Sequence, residues 1–183
     1  MAMIHAGREN TAETLDEAFA FAMRRNIETV VVASTFGDTG LEAARLGKAQ
    51  GRRVVVVTHN VGFAKSRELE LTADMRAAIE SHGARVLTGT MVLRGIGSAF
   101  RKKFGMSDEE VTASVLRMFG QGMKVCVEMG AMVADAGLVA EEDMVCVAGT
   151  ARGADTAVLL KPAPSNRFFD IHVKHVIVKP ELF

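Results

Sequence analysis

The sequence predicts an α/β protein, a three-layer fold with an open, mainly parallel sheet of about five strands between two layers of helices. The first observation is a set of short β-branched runs. Val30, Val31 and Val32, for example, follow one another without a polar residue, as in a strand that is buried on both faces. The second observation is that helical segments separate these runs, which favours parallel strands joined by crossover helices.

Strand and helix segments alternate through the first half of the chain. Apolar residues at helical spacing predict a first helix from Thr11 to about Arg25, opened by a capping box over residues 10–13. After the strand at Val30, either Asp38 or Thr39 is available as the N-cap of a second helix. The next predicted elements are a strand at 53–58, a helix at 68–82 and a strand at 84–88.

The second half is less regular. Residues 91–107 predict a long connection that contains Arg94 and Arg101, and we interpret it either as a basic lid over a bound anion or as a solvated charged turn. A second capping box at Ser107 opens a helical region that extends to Ala136. The remaining predicted elements are a strand at 144–149, a short helix at 156–160 and a final strand at 169–178.

Charge and cysteine content argue against several classes of function. The 22 Lys and Arg residues balance 22 Asp and Glu residues, so net charge does not attract the chain to nucleic acid or to an anionic membrane. Cys126 and Cys146 lie in apolar segments without C-x-x-C spacing, which predicts buried thiols in a reducing cytoplasm and no metal site. No apolar run has the length of a membrane span. We therefore expect one cytoplasmic domain over residues 1–183.

The turn after the Val30 strand is the strongest sequence signal for a binding site. It runs from Ser34 to Gly40 and leads from a strand into a helix, whose first backbone N–H groups have no partner within the helix. Such N–H groups, with glycines and hydroxyls beside them, favour a bound phosphate. The alternative is that the same polar residues only cap the helix.

Other strand ends carry similar turns. Because the carboxyl ends of parallel strands meet at one edge of a sheet, we expect these turns to converge on a single crevice. The residues predicted to bind a ligand there are Ser34, Thr35, Phe36, Gly37, Asp38, Thr39, Thr58, His59, Asn60, Thr88, Gly149, Thr150, Arg152 and Gly153.

Three side chains are candidates for specific roles. Arg152 follows a strand end and could clamp an oxyanion, or else pair with Asp155 or cap a helix. His59 could act as a general acid or base, although a single histidine in a turn is more often a surface residue. Glu128 could transfer a proton if it is buried and faces the crevice, but its spacing from Lys124 first suggests a structural ion pair.

Five segments of the chain are especially distinctive: residues 7–11, 31–40, 101–105, 118–128 and 149–155. Through them, nearly the whole chain resembles small stand-alone proteins, common in archaea, that are similar to the C-terminal α/β domain of pyruvate kinase. The resemblance implies flavin mononucleotide (FMN) as the ligand. In pyruvate kinase, the turn similar to Ser34–Gly40 holds a phosphate of the allosteric sugar bisphosphate. The catalytic barrel of pyruvate kinase has no counterpart here, so its activity is not carried over.

The resemblance leaves the reaction unassigned. One hypothesis is a cytosolic protein that binds FMN or a related phosphorylated small molecule, with or without flavin redox chemistry in which Glu128 or His59 handles protons. The alternative is a regulatory module that senses a phosphorylated metabolite and has no catalysis of its own. Either kind of protein could be a homo-oligomer.

Overall fold

The structure is a computed structural model, and it describes residues 5–64 and 67–183. Short 3₁₀ segments occur at Arg8–Asn10 and Ser165–Asp170. The helices are α1 Thr11–Arg24, α2 Asp38–Gln50, α3 Ala73–Glu80, α4 Gly95–Phe104, α5 Asp108–Arg117 and α6 Gln121–Asp135. The strands are β1 Thr29–Ala33, β2 Arg53–Thr58, β3 Arg85–Thr88, β4 Met144–Ala148, β5 Thr156–Lys161 and β6 His172–Val178.

The α/β class is confirmed, with a mixed sheet of six strands in the order β3-β2-β1-β4-β5-β6. Strands β1 to β4 are parallel, whereas β5 and β6 are antiparallel to their neighbours. The prediction of about five strands was therefore one strand short. From β1 the chain continues to β2 and β3 on one side and then returns to β4 on the other. The sheet thus has its switch point between β1 and β4, where open α/β sheets bind ligands.

The apolar runs are buried on both faces of the sheet. Val30 and Val32 point into a core with α1 and α2, while Val31 points into a second core with α6. All three valines are 0% exposed. Since burying a valine side chain stabilises a fold by about 1.5–3 kcal/mol, each face makes a substantial contribution. This arrangement gives the three layers that the sequence predicted.

The predicted starts of several helices need correction. Helix α1 occurs as predicted, but Asn10 does not cap it; its side-chain amide donates to the carbonyl of His5 at 2.8 Å. The N-cap of α2 is Gly37, not Asp38 or Thr39. Helix α3 begins at Ala73, several residues later than predicted, because the Thr72 side chain caps its first turn.

The predicted loop at 91–107 and the helix after it are also different in the structure. Helix α4 occupies most of the predicted loop, and its basic residues lie in its last turn. The Ser107 hydroxyl accepts from the Glu110 N–H, as its capping position predicted. The long helix is broken into α5 and α6 at Gly120, which has a φ of 113°, a value that favours glycine.

The predicted short helix at 156–160 is wrong, since strand β5 lies there. Its residues pair with β4 in antiparallel register, from Met144 opposite Leu160 to Ala148 opposite Thr156. Helix α6 packs closely on this strand because Gly122 has no side chain; a Cβ there would lie 2.2 Å from the Thr156 hydroxyl. The final strand is shorter than predicted, since the 3₁₀ segment occupies its first residues.

Across residues 5–64 and 67–183, no helix combines the length and the apolar character that a membrane crossing requires.

Candidate functional site

A crevice lies over the carboxyl ends of β1 and β2, and it has two compartments. The outer compartment, of about 290 Å³, lies between the β1–α2 turn and the β4–β5 turn. The inner compartment, of about 220 Å³, lies between the ends of β1 and β2 and helices α4 and α6. They are contiguous, because seven residues line both: Ala33, Ser34, Thr35, His59, Phe63, Gln121 and Val125.

The start of α2 forms one wall of the outer compartment. Gly37, with a φ of 101°, turns the chain into the helix, and Asp38 and Thr39 of the first turn line the cavity. The Ser34 hydroxyl accepts from the Gly40 N–H at 3.0 Å, so it has the capping role that the sequence left open. Other N–H groups of this first turn have no partner within the helix, and they supply partial positive charge at the wall.

Arg152 lies on the opposite wall of the outer compartment. Its guanidinium donates to the Asp38 carboxylate at 2.5 Å and lies 5.2 Å from the centre of the Phe36 ring. Asp155 is not its partner; that carboxylate accepts from the Thr150 N–H and the Thr156 hydroxyl instead. The Arg152 and Asp38 side chains are 52% and 44% exposed, so water screens their attraction and the arginine can exchange partners.

The inner compartment contains a buried ion pair. The ammonium of Lys124 lies 2.6 Å from one carboxylate oxygen of Glu128, and the other oxygen accepts from the Leu93 N–H at 2.8 Å. The two side chains are 4% and 1% exposed, and both line the cavity. The two interpretations of Glu128 are therefore both correct in part, since it forms the predicted pair with Lys124 and also faces the crevice.

Thr58 ends β2 beside the same compartment. The residue is 3% exposed and lines the inner cavity at the end of β2. Within the part of the chain that the structure describes, its Oγ1 atom has no hydrogen-bond partner. This atom is itself fully buried, and because side chains alternate along a strand, the Thr58 side chain points to the same side of the sheet as Val54 and Val56, away from α6.

His59 lies between the two compartments and is not an isolated surface histidine. Its Nδ1 atom is 2.8 Å from a carboxylate oxygen of Glu70, and its ring stacks on Phe63 with centroids 3.6 Å apart. A carboxylate on one ring nitrogen fixes the orientation of the imidazole. The acid or base role of His59 stays a prediction.

Helix α4 contributes a basic edge to the inner compartment. Arg94, at its N-cap, and Ser98 and Arg101 within it recur at helical spacing and line the cavity. Among the described residues, neither arginine has a carboxylate partner within 4.0 Å, although Arg94 lies 4.1 Å from the centre of the Phe63 ring. The predicted basic segment thus borders the crevice as a helix, and its closing as a lid stays a prediction.

Four residues of the predicted set do not line the crevice. Thr88 accepts from Arg76 at the end of β3, which lies beyond β2 and farther from the switch point. Asn60 donates to the carbonyl of Val61. The other two are Gly37 and Thr150. A side chain at Gly37 would meet Met75, since its Cβ would lie 2.0 Å from the Met75 Cγ, so this glycine shapes the turn and its packing.

Apart from Glu128, sequence reasoning missed the residues that α6 contributes to the site. Gln121 and Val125 line both compartments, and Met129 and Met132 line the inner one. A signal was present, because Lys124 and Glu128 are charged residues in the middle of a largely apolar helix. The sequence left two interpretations of Glu128 open, a structural pair and a crevice-facing group, and the three-dimensional arrangement shows that the pair borders a cavity.

The cysteines are packed in the core, as predicted. Cys126 and Cys146 are free thiols and 0% exposed. Burial raises the pKa of both thiols well above the ordinary value of 9.0, and the nearby Cys146 and Asp155 raise that of Cys126 further. Within residues 5–64 and 67–183, no group of three or more His, Cys, Asp or Glu side chains is placed to hold a metal ion.

Comparison with known proteins does not identify a family, since no family model matches the chain. O-ureido-L-serine synthase is similar over 75% of this chain, with 17% identity and a TM-score of 0.35. This chain spans about half of that enzyme, or 50% of its length.

Two further structures are similar at the same low level. Diaminopropionate ammonia lyase from Escherichia coli is similar over 54% of this chain and 29% of its own, with 14% identity and a TM-score of 0.31. A methyltransferase from Podospora anserina is similar over 78% of this chain and 63% of its own, with 11% identity and a TM-score of 0.30. Similarities this low support no argument about activity or ligand.

Proposed function

We propose that this protein binds a phosphorylated small molecule in the two-compartment crevice, and that the molecule is FMN. The observation that supports the proposal most directly is the contact between two compartments of different character at the switch point of the sheet. The outer one offers a helix start and an arginine, and the inner one is lined by α4 and α6. A ligand with a phosphate at one end and a ring at the other matches this division.

The outer compartment suits the phosphate. Backbone N–H groups at the start of α2 favour an anion, and Arg152 can form two parallel hydrogen bonds to phosphate oxygens. Asp38 opposes this, because its carboxylate lies beside the same arginine. Since both side chains are largely exposed, a phosphate with its higher charge can take the guanidinium from Asp38.

The inner compartment suits a ring system. Met91, Met129 and Met132 supply apolar, adaptable walls, and Lys124 and Glu128 supply polar atoms beside them. These residues fit the flavin ring that the family resemblance implies. A bound flavin would supply electron or hydride transfer, while Glu128 and His59 are the side chains placed to hold or move a proton. The reaction itself stays unassigned.

The regulatory alternative is favoured by helix α4. The segment that lines the cavity with Arg94, Ser98 and Arg101 also presents Ile96, Phe100 and Phe104 to solvent, with exposures of 68%, 49% and 67%. A helix that contacts both a ligand and a partner could transmit the state of the crevice. In that case the ligand would be a sugar phosphate. Cytoplasmic location and homo-oligomer formation remain predictions.

Titration with FMN, monitored by flavin fluorescence, tests the proposal. The chain contains no Trp and no Tyr, so protein emission does not interfere. We expect FMN to bind at least about tenfold more tightly than riboflavin, which lacks the phosphate, because charged hydrogen bonds are worth about 1.5–3 kcal/mol. Equal binding of the two compounds would contradict the placement of the phosphate. Binding of fructose 1,6-bisphosphate without binding of FMN would favour the regulatory alternative.

The variant Arg152→Ala locates the phosphate. We expect it to reduce FMN affinity about tenfold and to leave riboflavin affinity unchanged, since the exposed arginine acts on the phosphate alone. Arg53→Ala is a matched control, because Arg53 is a similarly exposed arginine in an ion pair at the opposite end of β2. Equal losses of FMN affinity in the two variants would mean that a general loss of positive charge, and not the loss of Arg152 in particular, weakens binding.

A further inference from the structure

Helices α4 and α5, with the residues that join and follow them, carry a large share of the exposed apolar side chains. Eight large apolar residues of this α4–α5 face are at least 49% exposed: Ile96, Phe100, Phe104, Met106, Val111, Val115, Met118 and Phe119. Gly97 is the only buried residue of α4. A helix of ten residues has little stability of its own in water, so packing normally covers its apolar side. In the described chain, nothing covers the apolar side of α4.

A groove of about 350 Å³ lies on the outer side of α5. Val111, Val115 and Met118 line it, at the spacing of four and three residues that places side chains on one face of a helix. Ala113, which is 0% exposed, lies on the opposite face of the same helix. Met106, between the two helices, also lines the groove. The groove is therefore an apolar surface on the side of α5 that faces away from the core.

A ridge of aromatic side chains lies next to this groove. Phe100 and Phe104 are one turn apart on α4, with ring centroids separated by 5.6 Å, and they are 49% and 67% exposed. Phe104 directly precedes Gly105, which lines the groove. A surface with a ridge beside a groove fits a second copy of itself, because a two-fold axis places the ridge of each copy in the groove of the other.

The exposed apolar area is sufficient for a dimer. Eight large apolar side chains at about half exposure present roughly 600 Å², which is at the upper end of the largest patch on a typical monomer. A dimer interface of standard size buries about 800 Å² on each partner, of which about 65% is apolar in homodimers. The α4–α5 face therefore supplies the apolar area that such an interface requires.

Charges on the same face favour a second copy as the partner. Arg101, Lys102 and Lys103 form a basic turn at the end of α4. Asp108 and Glu109 form an acidic turn at the start of α5. In the described part of the chain, none of these five side chains has an opposite charge within 4.0 Å, so each copy offers both turns to the other. An anionic membrane would attract the basic turn but repel the acidic one.

We infer that the α4–α5 face is the interface of a two-fold homodimer, in which the Phe100–Phe104 ridge of each copy enters the α5 groove of the other. The basic turn of each copy then lies beside the acidic turn of its partner, and this pairing fixes the register. The inference goes beyond ligand binding and holds whichever ligand the crevice takes. Arg101 and Glu110 line both the groove and the inner compartment, so the interface borders the binding site.

Sedimentation velocity and light scattering test the inference. We expect the unmodified protein to form a species of twice its chain mass of 19.6 kDa. In Val115→Glu and in Phe104→Glu, a carboxylate would enter the apolar interface, so the dissociation constant of the dimer should rise about 30-fold or more. Val61→Glu is the matched control and should leave the dimer intact, because Val61 and Val115 are both 53% exposed and Val61 lies outside the α4–α5 face.

Charge reversal tests the pairing of the basic turn with the acidic turn. Lys102→Glu together with Lys103→Glu should weaken the dimer about tenfold, because two acidic turns then face each other. Adding Asp108→Lys to this double variant should restore most of the affinity, since opposite charges face each other again. Damage to the fold of either helix would not be repaired by the third change, and circular dichroism of each variant checks the fold directly.

Several results would overturn the inference. A protein that stays monomeric at about 100 µM has no such interface. A dimer that Val115→Glu and Phe104→Glu leave unchanged, or that Val61→Glu weakens equally, is formed by another surface. A monomer that sediments with phosphatidylserine vesicles would assign the face to a membrane instead. If Asp108→Lys restores nothing, the pairing of the two turns is wrong. Titration with FMN measures the crevice separately, so the proposed function stands or falls on its own.

Discussion

The crevice contains two ion pairs of nearly equal length and very different surroundings. In the inner compartment, Lys124 and Glu128 are 2.6 Å apart and their side chains are 4% and 1% exposed. In the outer compartment, Arg152 and Asp38 are 2.5 Å apart but are 52% and 44% exposed. Distance alone would rank the two pairs as equal. Burial makes them different in energy and, we propose, in function.

The buried pair is fixed by its surroundings. Its two charges have lost most of their water, so each depends on the other and on the Leu93 N–H. The exposed pair keeps its water and can separate at little cost. A pair that separates easily can yield its arginine to a phosphate, whereas a pair that cannot separate is suited to presenting polar atoms in a constant position. The following predictions test this contrast.

The largest effect is expected for Glu128→Leu. Removing the carboxylate leaves the Lys124 ammonium buried without its partner, which should lower the free energy of unfolding by about 3–5 kcal/mol. The double variant Lys124→Met with Glu128→Leu should recover most of this loss, because neither charge is then left alone. Urea unfolding of the three proteins measures both changes. A loss below about 1 kcal/mol in the single variant would mean that water reaches the pair.

An intermediate effect is expected from the buried thiols at alkaline pH. The pKa of both thiols is raised above 9.0 in the folded state, so above pH 9 the unfolded chain loses thiol protons that the folded chain keeps. The contribution of the protonated thiols to the free energy of unfolding is complete below pH 9. Above pH 9, the free energy of unfolding should fall by about 1.4 kcal/mol per pH unit for each thiol.

Unfolding curves between pH 8 and pH 10 measure this slope. The matched control is the double variant Cys126→Ala with Cys146→Ala, which should lose less stability over the same range. Equal slopes for the two proteins would show that the thiols are not responsible for the pH dependence.

The smallest effect is expected for Asp38→Asn at the exposed pair. Unfolding free energy should change by less than about 0.5 kcal/mol, because the pair is screened by water. Affinity for FMN should rise about threefold to tenfold, since the change removes a negative charge beside the phosphate position and releases Arg152.

Glu42→Gln is the control for this prediction. It removes an equally exposed charge from the same helix, where Glu42 pairs with Arg45, away from the crevice. Added salt should reduce the gain in FMN affinity that the Asp38→Asn variant shows. Weaker FMN binding by that variant would mean that Asp38 contacts the ligand as an acceptor.

The local sequence pattern correctly predicted those parts of the fold in which local preference and tertiary packing favour the same structure. Val30 to Val32 could only form a strand covered on both faces, and Ser107 caps a helix as its position suggested. The prediction was wrong at residues 156–160, which have no strong local preference and become a strand because β4 offers them an antiparallel partner. The prediction of a loop at residues 91–107 was wrong for a related reason. The glycines of this basic segment suggested a loop, whereas packing supports helix α4 there.

The candidate site was predictable to the extent that it lies at strand ends. Ser34, Thr58 and Arg152 follow strands, and the structure brings all three to the crevice. Thr88 follows a strand too, yet it lies outside, because strand order cannot be derived from one strand at a time. The α6 residues other than Glu128 were missed because their apolar and amide side chains give no local sign that they border a cavity.

The sequence by itself determined the α/β class, the buried valine strands, the buried thiols and the polar turns that follow the strands. Those features depend on neighbours within a few residues, through periodicity, capping and the conformational freedom of glycine. Tertiary structure alone decided the strand order, the antiparallel β5 and β6, and the different burial of two similar ion pairs. These depend on which distant segments meet, and burial, which sets the strength of a charge interaction, exists only after they have met.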